Sequence, residues 1–327
     1  MSLSVERYNG NESEWDQFVI EKSMNGTFIQ TRKFINYHPA NRFEDCSLCV
    51  RKGKELVAVV LGCCIDDGGK VFFAHKGTTF GGITISSKIY SASNIEELFK
   101  SLESFFIKEG YRKIYFKMVP DVYQKINVDL LDYFFYNHKY NCFNELNYYI
   151  NISEYKSNII ANFSSSKRRD YRYSLKNNLV FKELETKDEI EDFYSVLLLN
   201  LAKLRLKAVH TLDELFDLKF NRFFNNIKFY GVYHKNKMIA GSMVFIFNNN
   251  IFHTQYLSSN EQYLKMYPMD FLITNLIKVA VDRNMDKLTF GICTEDQGRY
   301  LNFGLSRFKE GFGTEYCINR SYEKILF

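Results

Sequence analysis

Apolar side chains recur at the helical interval in two distant parts of the chain. Ile95, Leu98, Phe99, Leu102, Phe105 and Phe106 predict a helix over 94–109, with Ser93 or Asn94 as its N-cap. Leu272, Ile273, Leu276, Ile277 and Ala280 predict a second, opened by Pro268 and running to about Arg283. A short apolar strand follows each, Ile114–Met118 and Lys287–Ile292. The two stretches share one offset, 287 − 113 = 174, which pairs Leu98 with Leu272, Leu102 with Leu276 and Phe116 with Phe290. A second echo, at an offset of 182, pairs Val50, Leu56, Val57 and Ala58 with Val232, Met238, Ile239 and Ala240. Both sets read as strand, tight turn around Lys54 or Lys237, and strand. A repeat of this length predicts a duplicated, mixed α/β unit of α+β-like character. The expected division is 1–150 and 151–327, with a ligand cleft between the copies.

The other elements fill in around this plan. A helix is predicted at 12–22, strands at 47–61 and 70–85 around the hairpin turn Asp66-Asp67-Gly68-Gly69, and a helix at 129–137. A strand at 146–152 closes the first unit. The second opens with a helix after Ser164-Ser165-Ser166 that stops near Asn177-Asn178. A long helix follows over 187–206, then a capping box at Thr211-Leu212-Asp213-Glu214. Strands are predicted at 228–233, 238–247 and 250–258, a short helix at 299–310, and final strands over 314–326. No glycine-rich turn joins a first strand to a first helix, so a doubly wound nucleotide fold is not expected.

Composition narrows the class. The 327 residues are 46% apolar and 17% aromatic, with only 3 Pro, which fits one compact body without a disordered linker. The net charge of +5 permits an acidic or phosphorylated partner without requiring one. No run is long and apolar enough for a transmembrane helix, and no secretory signal is visible. Seven scattered cysteines are expected to be reduced thiols of a cytoplasmic protein. Cys46-Ser47-Leu48-Cys49 has the spacing of half a zinc site but no second pair, so no metal is expected.

Certain motifs resemble a known family. His253-Thr254-Gln255-Tyr256-Leu257-Ser258-Ser259 looks like its central strand. Asn302-Phe303-Gly304-Leu305 with Phe308-Lys309-Glu310-Gly311-Phe312-Gly313 looks like its closing helix and turn. His75-Lys76-Gly77-Thr78-Thr79-Phe80-Gly81-Gly82 looks like the matching signature of the first half. The resemblance is to the FemAB-like branch of the GNAT acyltransferase superfamily, which carries two GNAT units in tandem. It implies transfer of an acyl or aminoacyl group to a small-molecule amine, such as an amino sugar or a cell-envelope precursor. The donor it implies is either aminoacyl-tRNA or acyl-CoA. Acetyl-CoA enzymes of this type usually carry a glycine-rich loop whose N–H groups hold the pyrophosphate. Neither 260–267 nor 86–91 contains a glycine, which weighs against CoA.

The candidate residues each admit a functional and a plain reading. Lys167, Arg168, Arg169 and Arg172 follow a serine cap, with Arg168 and Arg172 on one helical face, suited to a phosphate or to plain solvation. His253 shares a strand face with Gln255 and is a candidate general base or a hydrogen-bonded strand histidine. Tyr256 lies on the opposite face. Glu295 follows a strand end, where a second base could sit. Asn302, Lys309, Phe80 and Gly81 complete the candidate substrate-binding set. An acetyl-CoA-dependent N-acetyltransferase, or a non-catalytic module binding a phosphorylated ligand or RNA, remain the alternatives.

Overall fold

The computed structural model describes residues 2–203, 205–247 and 250–327. Leu204, inside the helix predicted at 187–206, lies outside them. The chain forms two units. The first comprises 1–145, 296–299 and 318–327; the second comprises 146–295 and 300–317. The sequence reading had assigned everything after 150 to the second unit; the first unit also takes the final residues and one short loop.

In chain order the first unit contains β1 (Leu3–Arg7), α1 (Glu12–Gln17), α2 (Arg32–Ile35), β2 (Glu44–Asp45), β3 (Leu48–Lys52) and β4 (Glu55–Val60). Next come β5 (Cys63–Asp66), β6 (Lys70–Ala74), β7 (Ile83–Ile85), α3 (Ala92–Lys108), β8 (Lys113–Lys117) and α4 (Asp129–Asn137). β1, β3, β4 and β7 form an antiparallel sheet. β8, β6, β5 and β2 follow one another in a second sheet, β6 and β8 parallel, with Ser321–Ile325 antiparallel on the other side of β8. The stretch 70–85, expected as strand, is divided: β6 and β7 join different sheets. α3 buries Ile95, Leu98, Phe99, Leu102 and Phe106 beside Phe72, Ile114 and Phe116. Each such side chain contributes about 1.5–3 kcal/mol. Its N-cap is Ser91, so the caps expected at Ser93 or Asn94 lie in its first turn.

The second unit runs through the end of β9 (Asn141–Asn151), α5 (Ser165–Ser174), β10 (Val180–Leu184), α6 (Lys187–Lys203), α7 (Leu212–Phe216), β11 (Ile227–His234), β12 (Lys237–Phe247) and β13 (Ile251–Ser259). It closes with α8 (Pro268–Asp282), β14 (Lys287–Ile292), β15 (Thr294–Glu295), β16 (Tyr300–Leu301), α9 (Phe303–Glu310) and the start of β17 (Glu315–Ile325). Its sheet has the order β10-β11-β12-β13-β14-β9, antiparallel except for β13 and β14. α8 buries Leu272, Ile273, Leu276, Ile277 and Ala280 with Phe252 and Leu288.

The repeat is visible in both units. α3 joins the parallel pair β6 and β8, and α8 joins the parallel pair β13 and β14. The hairpin β3–β4 carries a register shift between Val50 and Arg51, and β11–β12 carries one between Val232 and Tyr233. The separation, 232 − 50 = 182, is the offset read from the apolar pattern. The fold is mixed α/β, with the same hairpin and helix–strand plan in both units.

Candidate functional site

β13 and β14 are paired only at their beginnings, Ile251–His253 against Lys287–Thr289. Beyond Thr254, whose Oγ1 donates to the Thr289 carbonyl at 3.0 Å, β13 runs on to Ser259 without a strand partner on that side among the described residues. Two irregularities frame this split. Against β12 the register skips Gln255, since Thr254 faces Val244 and Tyr256 faces Met243. Against β9 it skips Phe290, with Thr289 facing Tyr149 and Gly291 facing Tyr148. Bulges bend a strand and re-aim its side chains. Gly291 sits at φ +70°, a conformation that favours glycine. Gln255, Tyr256, Leu257, Gly291 and Ile292 are half-buried around the split.

Lys309 reaches this place from α9. Asn302 is the N-cap of that helix, its Oδ1 accepting from Leu305 N at 3.0 Å, and its own N–H is bound to the Cys293 carbonyl at 2.9 Å. That cap holds α9 against the end of β14. The Lys309 side chain is buried, and its Nζ donates to the carbonyls of Gly291 at 3.0 Å and Ile292 at 2.8 Å. Burial lowers its pKa below the ordinary lysine value, while Cys293 opposes the shift. A buried cation without a carboxylate partner costs stability. Tyr148 Oη donates to Ser306 Oγ at 2.8 Å, and Ser306 Oγ donates to Glu310 Oε1 at 2.8 Å, completing a polar network behind the lysine.

His253, a candidate base or hydrogen-bonded strand histidine from its sequence, is buried. It is 6% exposed, its Nδ1 lies 2.6 Å from Thr289 Oγ1, and the rings of Phe245 and Phe247 stand nearby. Burial is the main cause of a pKa lowered to about 4, so the ring is neutral near pH 7. Glu295 is exposed on the two-residue strand β15. Gln255 stands at the bulge, and Tyr256 Oη is 2.7 Å from His210 Nδ1.

The basic cluster is largely engaged in holding its own unit together. Ser164 caps α5 as expected, accepting from Lys167 N. Lys167 Nζ bonds Asp270 Oδ1 at 2.7 Å in a mostly buried pair, above the rings of Phe308 and Phe312. Arg168 donates to the carbonyls of Ala161 and Phe163 at 3.2 and 2.7 Å. Arg169 pairs with its neighbour Asp170, and Arg172 is exposed. The structure thus does not assemble these four into one phosphate-facing group. In the first unit, Phe80 is buried against Tyr123, and Gly81 N bonds the Lys117 carbonyl at 2.9 Å. A Cβ on Gly81 would meet the Ala74 carbonyl at 3.2–3.3 Å. The close backbone approach at Gly81 is to neighbouring strands of the same unit.

Sequence reasoning named Lys309 only in passing and did not foresee Gly291 or Thr289. A lysine in an amphipathic helix gives no sign of burial by itself; the signal available was the glycine pair Gly311 and Gly313, which turns the chain back behind it. Among the described residues, no group of three His, Cys, Asp or Glu could hold a metal ion, and no helix is long and apolar enough to cross a membrane.

No family model and no curated protein matches the sequence. Solved structures do match the fold. FemX is similar with a TM-score of 0.70 at 12% identity, over 98% of this chain and 97% of that one. A tandem GNAT protein from the clavulanic acid biosynthesis pathway gives 0.60 at 11% identity, over 100% and 99%. The C-terminal domain of a putative lysylphosphatidylglycerol synthetase from Agrobacterium fabrum gives 0.58 at 12%, over 81% and 80%. By its architecture, then, the chain shares the fold of FemX and of the tandem GNAT protein.

Proposed function

We propose that this protein transfers an acyl or aminoacyl group to an amine, using the split between β13 and β14 as the reaction site. The observation that carries the proposal is the buried Lys309 ammonium at the bulge beside that split. An amine attacking an activated carbonyl builds negative charge on oxygen. Donors fixed beforehand at such a site stabilise that charge without reorganising. The nitrogen–carbon bond forms as the carbonyl's bond to the donor's oxygen or sulfur breaks. The amine proton leaves with the expelled hydroxyl or thiol, and no covalent enzyme intermediate is required. Gln255 and Arg172 are the proposed substrate contacts, and Glu295 a proposed acceptor-side carboxylate. The acceptor is a small amine such as an amino sugar or cell-envelope precursor.

The favoured donor is aminoacyl-tRNA. The segment Asn260–Tyr267 has no glycine, and its N–H groups are engaged internally: Gln262 N to Asn260 Oδ1, Tyr263 N to Asn260 O, and Tyr267 N to Leu264 O. Few remain for a pyrophosphate. A neighbour in fold named lysylphosphatidylglycerol synthetase is consistent with aminoacyl chemistry. The second reading, an acetyl-CoA enzyme, is favoured by the likeness to a tandem GNAT protein. The test is transfer of labelled amino acid from charged tRNA to a panel of amines, with wild type and Lys309→Met. Losing the ammonium should lower turnover about 10²–10³-fold. Full activity in the variant, or transfer only from acyl-CoA with micromolar affinity by calorimetry, would overturn the respective half of the proposal.

A further inference from the structure

Another surface of the second unit lies outside the split between β13 and β14. α6 buries Ile190, Phe193, Val196 and Leu197. Leu198 and Leu199, on its last turns, lie off that face and are 44% and 58% exposed; Leu206 and Val209, past its end, are 59% and 69% exposed. Lone exposed aliphatics are ordinary, but here four lie close together in sequence, interleaved with exposed Lys203, Arg205 and Lys207. Lys203 lies 3.5 Å from the exposed Glu261, and Arg205 and Lys207 make no ion pair among the described residues. No acidic residue stands between Asp192 and Asp213. The acids of α6, Asp188, Glu189, Glu191 and Asp192, all lie toward its other end.

We propose that this surface docks the protein onto an anionic lipid bilayer. Aliphatic side chains gain by entering the boundary between headgroups and acyl chains, while lysine and arginine stems lie along apolar surface with their charges at the phosphates. RNA would reward the cations but not the leucines, since single strands are gripped by aromatic stacking and phosphate contacts. A protein partner would be met by aromatic anchors, with lysine depleted from the buried centre. The surface has no aromatic residue from Leu198 to Val209. The α6 acids lie at its far end, and the Glu261 carboxylate beside the patch is paired with Lys203.

The test is co-sedimentation of the full chain with vesicles of phosphatidylglycerol and phosphatidylcholine, compared with phosphatidylcholine alone. Binding should require the anionic lipid and weaken as salt rises. At about 1 kcal/mol for each cation near the surface, Arg205→Gln with Lys207→Gln should weaken it roughly 30-fold. Leu206→Ser with Val209→Ser should weaken it as well. Absence of binding to anionic vesicles, equal binding to neutral ones, or unchanged binding by both variants would overturn the inference. So would retention of tRNA, but not vesicles, through the same residues. Unfolding midpoints establish that the variants fold. Should one not fold, the dependence of wild-type binding on lipid charge and salt still decides.

Discussion

Replacing His253 with asparagine should flatten part of the protein's acid sensitivity. The amide can keep the bond to Thr289 Oγ1, which the Nδ1 of the ring makes at 2.6 Å, but it does not titrate. In the folded chain burial lowers the histidine pKa to about 4, against about 6.5 when unfolded. The unfolded chain therefore binds more protons between those values. The stability this histidine contributes is fully present above pH 6.5 and is lost as pH falls toward 4. Each pH unit in that window is worth about 1.4 kcal/mol, so the loss is about 2 kcal/mol at pH 5 and approaches roughly 3.4 kcal/mol below pH 4. His75, also buried and lowered to about 4, adds a parallel loss that the variant leaves intact. The assay is urea unfolding of both proteins at pH 7.5 and pH 5 and constant ionic strength. At pH 7.5 the variant should be about 1–3 kcal/mol less stable, from the poorer fit of a smaller side chain. By pH 5 that deficit should shrink by about 2 kcal/mol. Deficits that stay equal at the two pH values would show that His253 is not a buried neutral group, and would reopen its candidacy as a base.

Other outcomes follow from single contacts. Lys167→Met leaves the Asp270 carboxylate buried and unpaired, so it should cost about 3–5 kcal/mol in chemical denaturation. Arg172→Glu, at an exposed position, should stay within about 0.5 kcal/mol of wild type, and parity of the two variants would argue against the assignment of the basic cluster. Gly291→Ala should cost about 1–2 kcal/mol because its φ is +70°, whereas its new Cβ would meet only the His253 ring at an ordinary 3.6 Å; a neutral result would mean the bulge relaxes. At Gly298 a Cβ would stand 1.8 Å from the Asn144 carbonyl oxygen, so Gly298→Ala should displace the 296–299 loop and raise its protease sensitivity. An unchanged digestion pattern would count against that packing.

Much of the fold was legible where periodicity was strong. The helices at 92–108 and 268–282, the turns between β3 and β4 and between β11 and β12, and the capping box at Thr211 all match their apolar and cap signals. The apolar run at 70–85 did not reveal that its two strands part company, because sheet membership depends on long-range pairing that alternation does not encode. The candidate site was less legible. Motif likeness pointed to β13 and α9, the elements that carry the candidate site, yet the local pattern gave no burial for individual polar residues. His253 and Lys309 look equally available in sequence. Tertiary packing makes one a neutral ring bound to Thr289 and the other a cation bound to two carbonyls.

The pairing of Ser321–Ile325 with β8 bears on how the chain matures in the cell. Translation delivers most residues of the first unit early, but a strand of its sheet, Ser321–Ile325, is encoded long after β8. That unit cannot close its hydrogen-bond ladder until synthesis has passed Ile325, so β8 waits with one edge unpaired while the second unit emerges. Exposed edges invite misassembly with neighbouring chains. A premature stop just before Ile318 would therefore damage the unit made first.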